Sequence, residues 1–213
     1  YQMNRMAADA RTSGNERYPE KFMAFHHLTF NIGKKLNIGV FESIVFSPQD
    51  SVNNNSFDYG YLNPVIFFRA IEQQYGSSDN ALLGLDFKWN ALKGVSLYGQ
   101  LVLDEFKLYE ITSGDGWWAN KYAWQLGVKY IDVLGVSNLD VQAEFNSVRP
   151  YTYAHIDQFH NYGNQGSNLA HPLGSNFHEL IGELKWQYKK WTAKVFLSYS
   201  LQGIASDTTI YNY

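Results

Sequence analysis

The stretch ELIGELKWQYKKWTAKVFLSYSL (179–201) reads as two strands joined by a tight turn. Leu180, Gly182, Leu184, Trp186 and Tyr188 share one parity, and Glu179, Glu183, Lys185 and Gln187 share the other. After Lys189-Lys190, the residues Trp191, Ala193, Val195, Leu197, Tyr199 and Leu201 alternate with Thr192, Lys194, Ser198 and Ser200. Successive side chains on a strand point to opposite faces, so this period of two gives each strand one apolar and one polar face. Soluble strands typically run about five or six residues. The runs here approach the roughly nine to eleven residues of a tilted strand that crosses a bilayer.

The same alternation spreads outward along the chain. In 81–90, Ala81, Leu83, Leu85, Phe87 and Trp89 oppose Asp86, Lys88 and Asn90. Segment 95–104 sets Val95, Leu97, Gly99, Leu101 and Leu103 against Ser96, Gln100 and Asp104. Segments 123–131 and 139–147 repeat the pattern, with Trp124, Leu126, Val128 and Tyr130, then Leu139, Val141, Ala143 and Phe145, on their apolar faces. Two earlier segments, 22–32 and 36–46, alternate less cleanly because His26 and Glu42 interrupt them. Eight strands are therefore expected.

Their connections alternate in length. Gly33–Lys35, Ala91–Gly94, Asp132–Asn138 and Lys189–Lys190 are short, whereas 47–80, 105–122 and 149–178 are long. Outer-membrane barrels have short periplasmic turns and long outer loops. Trp89, Tyr130, Trp186, Tyr188, Trp191 and Tyr199 sit toward strand ends, where interfacial girdles place amphipathic rings. The expected fold is all-β: an antiparallel transmembrane β-barrel in the bacterial outer membrane, with the large loops extracellular and the lipid bilayer as its first partner. On this rhythm both ends of the eight strands lie outside, so residues 1–213 are expected to be part of one barrel domain of ten or more strands. A soluble β-sandwich with aromatic-rich core faces is the competing architecture. Within the long 47–80 connection, Asn63, Pro64 and Glu72–Gln74 predict a short helix over 63–75. The Ser51–Asp58 stretch before it is turn-forming.

Composition sets outer limits. The chain carries 17 Lys+Arg against 20 Asp+Glu, a net charge of −3, so there is no electrostatic case for nucleic acid. With no cysteine, disulfides, thiolate zinc sites and cysteine nucleophiles are excluded together. No apolar run approaches the length of a membrane helix, which says nothing against strands. The 14 Phe, 16 Tyr and 6 Trp are the excess to explain.

Three loop constellations could carry recognition. Ser113-Gly114-Asp115-Gly116-Trp117-Trp118 places a carboxylate beside two indoles on a sharply turning backbone, a pairing suited to sugar C–H faces and hydroxyls. The indoles would equally serve as interfacial anchors. Segment 149–162 offers Arg149, Tyr151, Tyr153 and His155 as a polar surface. Arg149 is expected to pair with Glu144 or to meet an anionic sugar. Arg69 and Glu72, three apart on the predicted helix, could pair on one face or contact a ligand. His26 and His27 are adjacent on a strand and point apart, so they cannot chelate one ion, and His171, His178 and Glu179 lack ligand spacing. No metal and no cofactor are expected. Gly-x-Ser-x-Gly, the phosphate-loop pattern and Gly-x-Gly-x-x-Gly are absent, and Asp86, Asp104 and Glu105 read as members of charge networks with Lys88, Lys185 or Lys194, so no enzyme is expected.

Several stretches carry a resemblance: RYPEKFMAFHHL (17–28), YLNPVIFFRAIEQQ (61–74), LLGLDFKWN (82–90), LYGQLVLDEFK (97–107), GDGWWANKYAWQLGVKY (114–130), VRPYTYAH (148–155) and LAHPLGSNFHELIG (169–182). Together they resemble the Wzi-like capsule-assembly family of Bacteroidota, which includes gliding-motility RemB-type proteins. The resemblance implies a barrel of roughly twice this length, of which the chain is the middle-to-C-terminal part. It also implies a role in assembling or attaching surface polysaccharide (capsule). The rival roles are an accessory barrel docked to other outer-membrane proteins of a gliding, secretion or nutrient-uptake complex, and a soluble β-sandwich glycan-binding module.

Overall fold

The computed structural model describes residues 2–4, 20–46, 59–66, 80–104, 121–155, 160–164 and 167–203. In chain order the strands are β1 (Gln2–Asn4), β2 (Glu20–Ile32), β3 (Leu36–Phe46), β4 (Asn80–Leu92), β5 (Val95–Asp104), β6 (Lys121–Tyr130), β7 (Leu139–Val148), β8 (Gly163–Asn164), β9 (Ser167–Asn168), β10 (Phe177–Tyr188) and β11 (Trp191–Gln202). All but β8 and β9 form one nine-stranded sheet in the order β1-β2-β3-β4-β5-β6-β7-β10-β11. Every neighbouring pair is antiparallel. The eight long strands of the alternation are all present, and β8 with β9 makes a small hairpin inside the β7–β10 connection. The described strands do not close into a barrel, since β1 and β11 stand at the two edges of the sheet.

Register turns the alternation into two faces. Ile38, Phe87, Gly99, Leu126, Phe145, Leu180 and Tyr199 are successive cross-strand partners from β3 to β11, forming one apolar row. The adjacent row, Gly39, Asp86, Gln100, Gln125, Asn146, Glu179 and Ser200, is polar and lies on the opposite face. Across β4 to β11 much of the apolar face has no described element over it: Leu85, Leu126 and Leu197 are 47%, 51% and 69% exposed. Trp89, Trp186, Tyr188 and Trp191 are exposed beside the short turns at one end of this face, where the Lys189 ammonium lies 5.2 Å from the Tyr188 ring centre.

The two residues that break the alternation answer each other. His26 and Glu42 are direct cross-strand partners on the apolar face, and His26 Nδ1 lies 2.9 Å from Glu42 Oε1. Glu42 is buried, and Ile44 and Phe46 beyond it pack with Phe22, Ala24 and Ala81. An ionisable group on an apolar face survives only when paired.

The polar face is drawn inward by contacts between next-nearest strands. His27 of β2 reaches Asp86 of β4 at 2.8 Å across Gly39 of β3, where a methyl group would overlap both side chains. Tyr98 of β5 crosses Gly127 of β6 in the same way and donates its hydroxyl to Glu144 Oε2 of β7 at 2.8 Å. Side chains that join strands i and i+2 on one face only shorten that face, so the sheet curls with its polar side concave.

The helix expected over 63–75 is not found in its described part. Tyr59–Leu62 is a 3-10 turn, and residues 63–66 form a bend and turn. Asn63 Oδ1 accepts the Val65 N–H at 3.1 Å, the bond of a helix cap, here closing a turn over Pro64. Residues 51–58 and 67–75 lie outside the described residues.

Candidate functional site

The long connection between β7 and β10 folds back over the concave polar face at the end opposite the short turns. It begins with two overlapping turns, Thr152 N–H to Arg149 O at 3.4 Å and Ala154 N–H to Tyr151 O at 3.1 Å. Their third residues, Tyr151 and Tyr153, have φ of +64° and +74°. Such left-handed turn positions favour glycine, and bulky residues there cost on the order of 1–3 kcal/mol each. The surroundings hold the strained backbone in place. Thr152 is buried, with its hydroxyl on Tyr122 O at 3.3 Å, and the Tyr153 N–H donates to Asp104 Oδ2 at 2.7 Å. The Tyr162 N–H then closes the loop on Tyr153 O at 2.9 Å.

Five consecutive strands grip this compact nub through side chains at their ends. Lys21 of β2 donates to the carbonyls of Asn161 and Gly163, Ser43 of β3 to the Tyr162 hydroxyl, and Asn80 of β4 to His160 O. Asp104 of β5 takes Tyr153 N–H, and Lys121 of β6 donates to Ala154 O at 2.7 Å. Laid flat, those strands would span about 19 Å, so their convergence on one loop reflects the curl of the sheet. Beneath the nub the polar parity turns apolar: Val102, Ala123, Val148 and Phe177 are cross-strand partners in one row and pack with Tyr153 and Leu173. Lys21, Asn80, Asp104 and Lys121 are all buried, and each has partners, as buried polar groups require.

Burial of Tyr153, reinforced by the Asp104 carboxylate and then by Tyr162, pushes its phenol well above the ordinary tyrosine value. Burial also raises Tyr162, partly opposed by the hydrogen bond it accepts from Ser43. Farther along, His171 stacks on Phe177 with ring centres 4.5 Å apart. Its Nδ1 accepts the Leu173 N–H, which leaves Nε2–H to donate to Glu179 Oε2 at 3.1 Å.

Below the cap the concave wall carries a connected polar network. Glu144 accepts from Tyr98, Gln125 and Asn146, and Glu179 accepts from Asn146, Ser198 and His171. The same wall holds an open cleft of about 310 Å3 between Phe25, His27, Phe41, Asp86, Tyr98 and Gln125. It combines aromatic surface with neutral amides and a His–Asp pair, which suits hydrogen-bonded recognition of a polar ligand with apolar faces.

The predicted loop residues separate. Tyr151, Tyr153 and His155 belong to the cap, Tyr153 as a packed anchor inside it. Arg149 does not pair with Glu144. It lies on the parity of Phe145 and Ser147, the apolar face, with its guanidinium 5.3 Å from the Tyr122 ring centre, whereas Glu144 points to the concave side. Arg69, Glu72, Asp115, Trp117 and Trp118 lie outside the described residues. His26 and His27 point to opposite faces, each toward its own carboxylate. Glu183 pairs with Lys194 at 2.8 Å, whereas Asp86 turns to His27 and Asp104 to the Tyr153 N–H rather than to the lysines expected for them, and Glu105 lies outside the described residues. No group of three or more metal-ligating side chains forms among the described residues. No local pattern in the sequence pairs His27 with Asp86, Tyr98 with Glu144 or His171 with Glu179. The first two leave only a trace, as glycines of the concave parity (Gly39, Gly127) beside long polar side chains.

Comparison with known protein families, with characterised proteins and with solved structures finds no match to this chain.

Proposed function

We infer that this chain supplies strands of a transmembrane β-barrel of the bacterial outer membrane that works in the assembly or attachment of surface polysaccharide, as the Wzi-like resemblance implies. The observation that carries the membrane part is the apolar row from Ile38 to Tyr199, with Leu126, Leu180 and Tyr199 exposed and no described element over them, backed by a polar concave face. In water, so wide an apolar face drives association; hydrocarbon is the solvent it suits. The edge of β11, unpaired among the described residues and with its side chains exposed along its whole length, is where further barrel strands would pair. A capped mouth and a polar inner wall fit a barrel that binds at its outer end rather than one that passes solutes freely. No second sheet covers the apolar face among the described residues, which weighs against the soluble sandwich.

The glycan part is tested by binding purified capsular polysaccharide to the detergent-solubilised chain. Saturable binding lost in the Trp117→Ala/Trp118→Ala variant is the expected result. Absence of binding to any surface glycan, with stable recovery of the chain in a large outer-membrane complex, would favour the accessory-barrel role instead. The exposed face of β11 is the surface such a complex would use.

A further inference from the structure

We propose that Arg149 holds the phosphate of a membrane lipid in the cleft where the β7–β10 connection leaves and rejoins the sheet; this rests on the membrane reading above. The cleft is about 300 Å3 and is lined by Ser147, Arg149, Pro150, Asn176, His178 and Leu201, among others. Its floor is a row of cross-strand partners, Ser147, His178 and Leu201, on the apolar face. One step toward the middle of that face lies the row Phe145, Leu180 and Tyr199, with Leu180 and Tyr199 exposed. The polar cleft therefore tops the apolar face at the height where headgroups meet hydrocarbon.

The chemistry of the cleft favours an anion. The Arg149 N–H continues the β6–β7 ladder to Tyr122 O at 3.1 Å, which fixes the residue on the outer face, and its guanidinium rests near the Tyr122 ring. Among the described residues no carboxylate pairs with it: Glu144 and Glu179 point to the concave side, held by the polar network. His178 stacks on Phe145 with ring centres 6.1 Å apart, which holds its imidazole in the cleft floor, and Asn176 adds an amide. An arginine with no carboxylate partner among the described residues, above exposed apolar side chains, matches an amphiphile with a phosphate head. The guanidinium offers paired donors to the phosphate, while acyl chains lie along Phe145, Leu180 and Tyr199.

The test uses the full chain in dodecyl maltoside micelles with three probes: dioleoyl phosphatidic acid, dioleoylglycerol and inorganic phosphate. Saturable binding of phosphatidic acid is expected. Dioleoylglycerol, which lacks the charge-assisted bidentate contact, and inorganic phosphate, which lacks the acyl chains, should each bind at least about tenfold more weakly. Arg149→Gln should weaken phosphatidic acid binding at least about tenfold, with Arg149→Lys between the two. His178→Ala, judged by retained strand content, is the second variant should Arg149→Gln not fold, and it too should bind more weakly. Unchanged binding in these variants overturns the proposal, as does diacylglycerol or phosphate alone matching the lipid. If the wild-type chain is instead soluble and monomeric without detergent, the membrane reading itself falls, and the lipid site falls with it.

Discussion

The two faces of the sheet are built from the same strands, yet they are finished differently. The apolar face ends in bare side chains: Leu180, Leu184 and Leu197 stand exposed with no described element over them. The concave face is completed from within the chain. Its polar groups find one another through Tyr98–Glu144 and His27–Asp86, and its end opposite the short turns is covered by the loop that Asp104 and Lys121 hold. Hydrogen bonds can be satisfied only by specific partners, whereas an apolar surface needs only a medium that is not water. A chain that carries its own polar lid and leaves its apolar side open is suited to a solvent that covers that side.

The largest effect that could break this contrast comes from charges on the bare face. Leu85→Arg or Leu197→Arg should cost about 2–4 kcal/mol at midplane depth, read as the shift in urea unfolding of the chain refolded in lipid vesicles. Asp140→Asn or Glu183→Gln on the concave side should shift it far less. Equal costs on the two faces would dissolve the distinction. Next in size, Asp104→Ala strips the buried acceptor from Tyr153 N–H and should cost about 1–3 kcal/mol. That loss should fall on the cap, so hydrogen exchange within 149–164 should quicken while β10 and β11 stay protected.

A smaller effect follows from the tyrosines of the cap. A phenol raised above its free value of 10.0 keeps its proton in the folded cap after the opened cap has lost it. Stability from Tyr153 and Tyr162 is therefore full below the free value and falls as pH rises through it toward the raised one. Exchange in the cap should be faster at about pH 11 than at about pH 9 beyond the intrinsic base catalysis, and Tyr153→Phe/Tyr162→Phe should remove that excess. The smallest change is Tyr151→Gly, which relieves a left-handed φ but adds freedom to the open state. It should alter cap stability by less than about 1 kcal/mol in either direction.

Much of this is legible in the amino-acid sequence. Period-two alternation sufficed for eight strands and for both faces, because a strand with one bare apolar face has no reason to break parity. Where parity did fail, tertiary structure supplied the reason. Leu82, Val102, Val148 and Phe177 carry the polar parity yet are apolar or buried, because the cap lies over that end of the sheet. Glu42 sits among apolar residues because His26 faces it from the next strand. The candidate site was less legible. The match of guanidinium to carboxylate offers Arg149 either Glu144 or an anionic sugar, but five residues along a strand lead from Glu144 to the opposite face, and the ladder to Tyr122 holds Arg149 there. Pairings such as His27–Asp86 depend on a glycine in an intervening strand, and no local pattern announces which strands will be neighbours.

The chain contains no cysteine, so single cysteines can report on either face without background. The most direct measurement places a bimane-labelled cysteine, one at a time, at Leu83, Leu85, Asp86, Phe87 and Lys88 of β4 and at Glu183, Leu184 and Lys185 of β10. The chain is then reconstituted in vesicles whose lipids carry brominated acyl chains. Strong quenching at Leu83, Leu85, Phe87 and Leu184, with little at Asp86, Lys88, Glu183 and Lys185, is the predicted result. Uniform quenching, or a chain that remains monomeric in buffer and leaves the vesicles unlabelled, would contradict a membrane-facing apolar side.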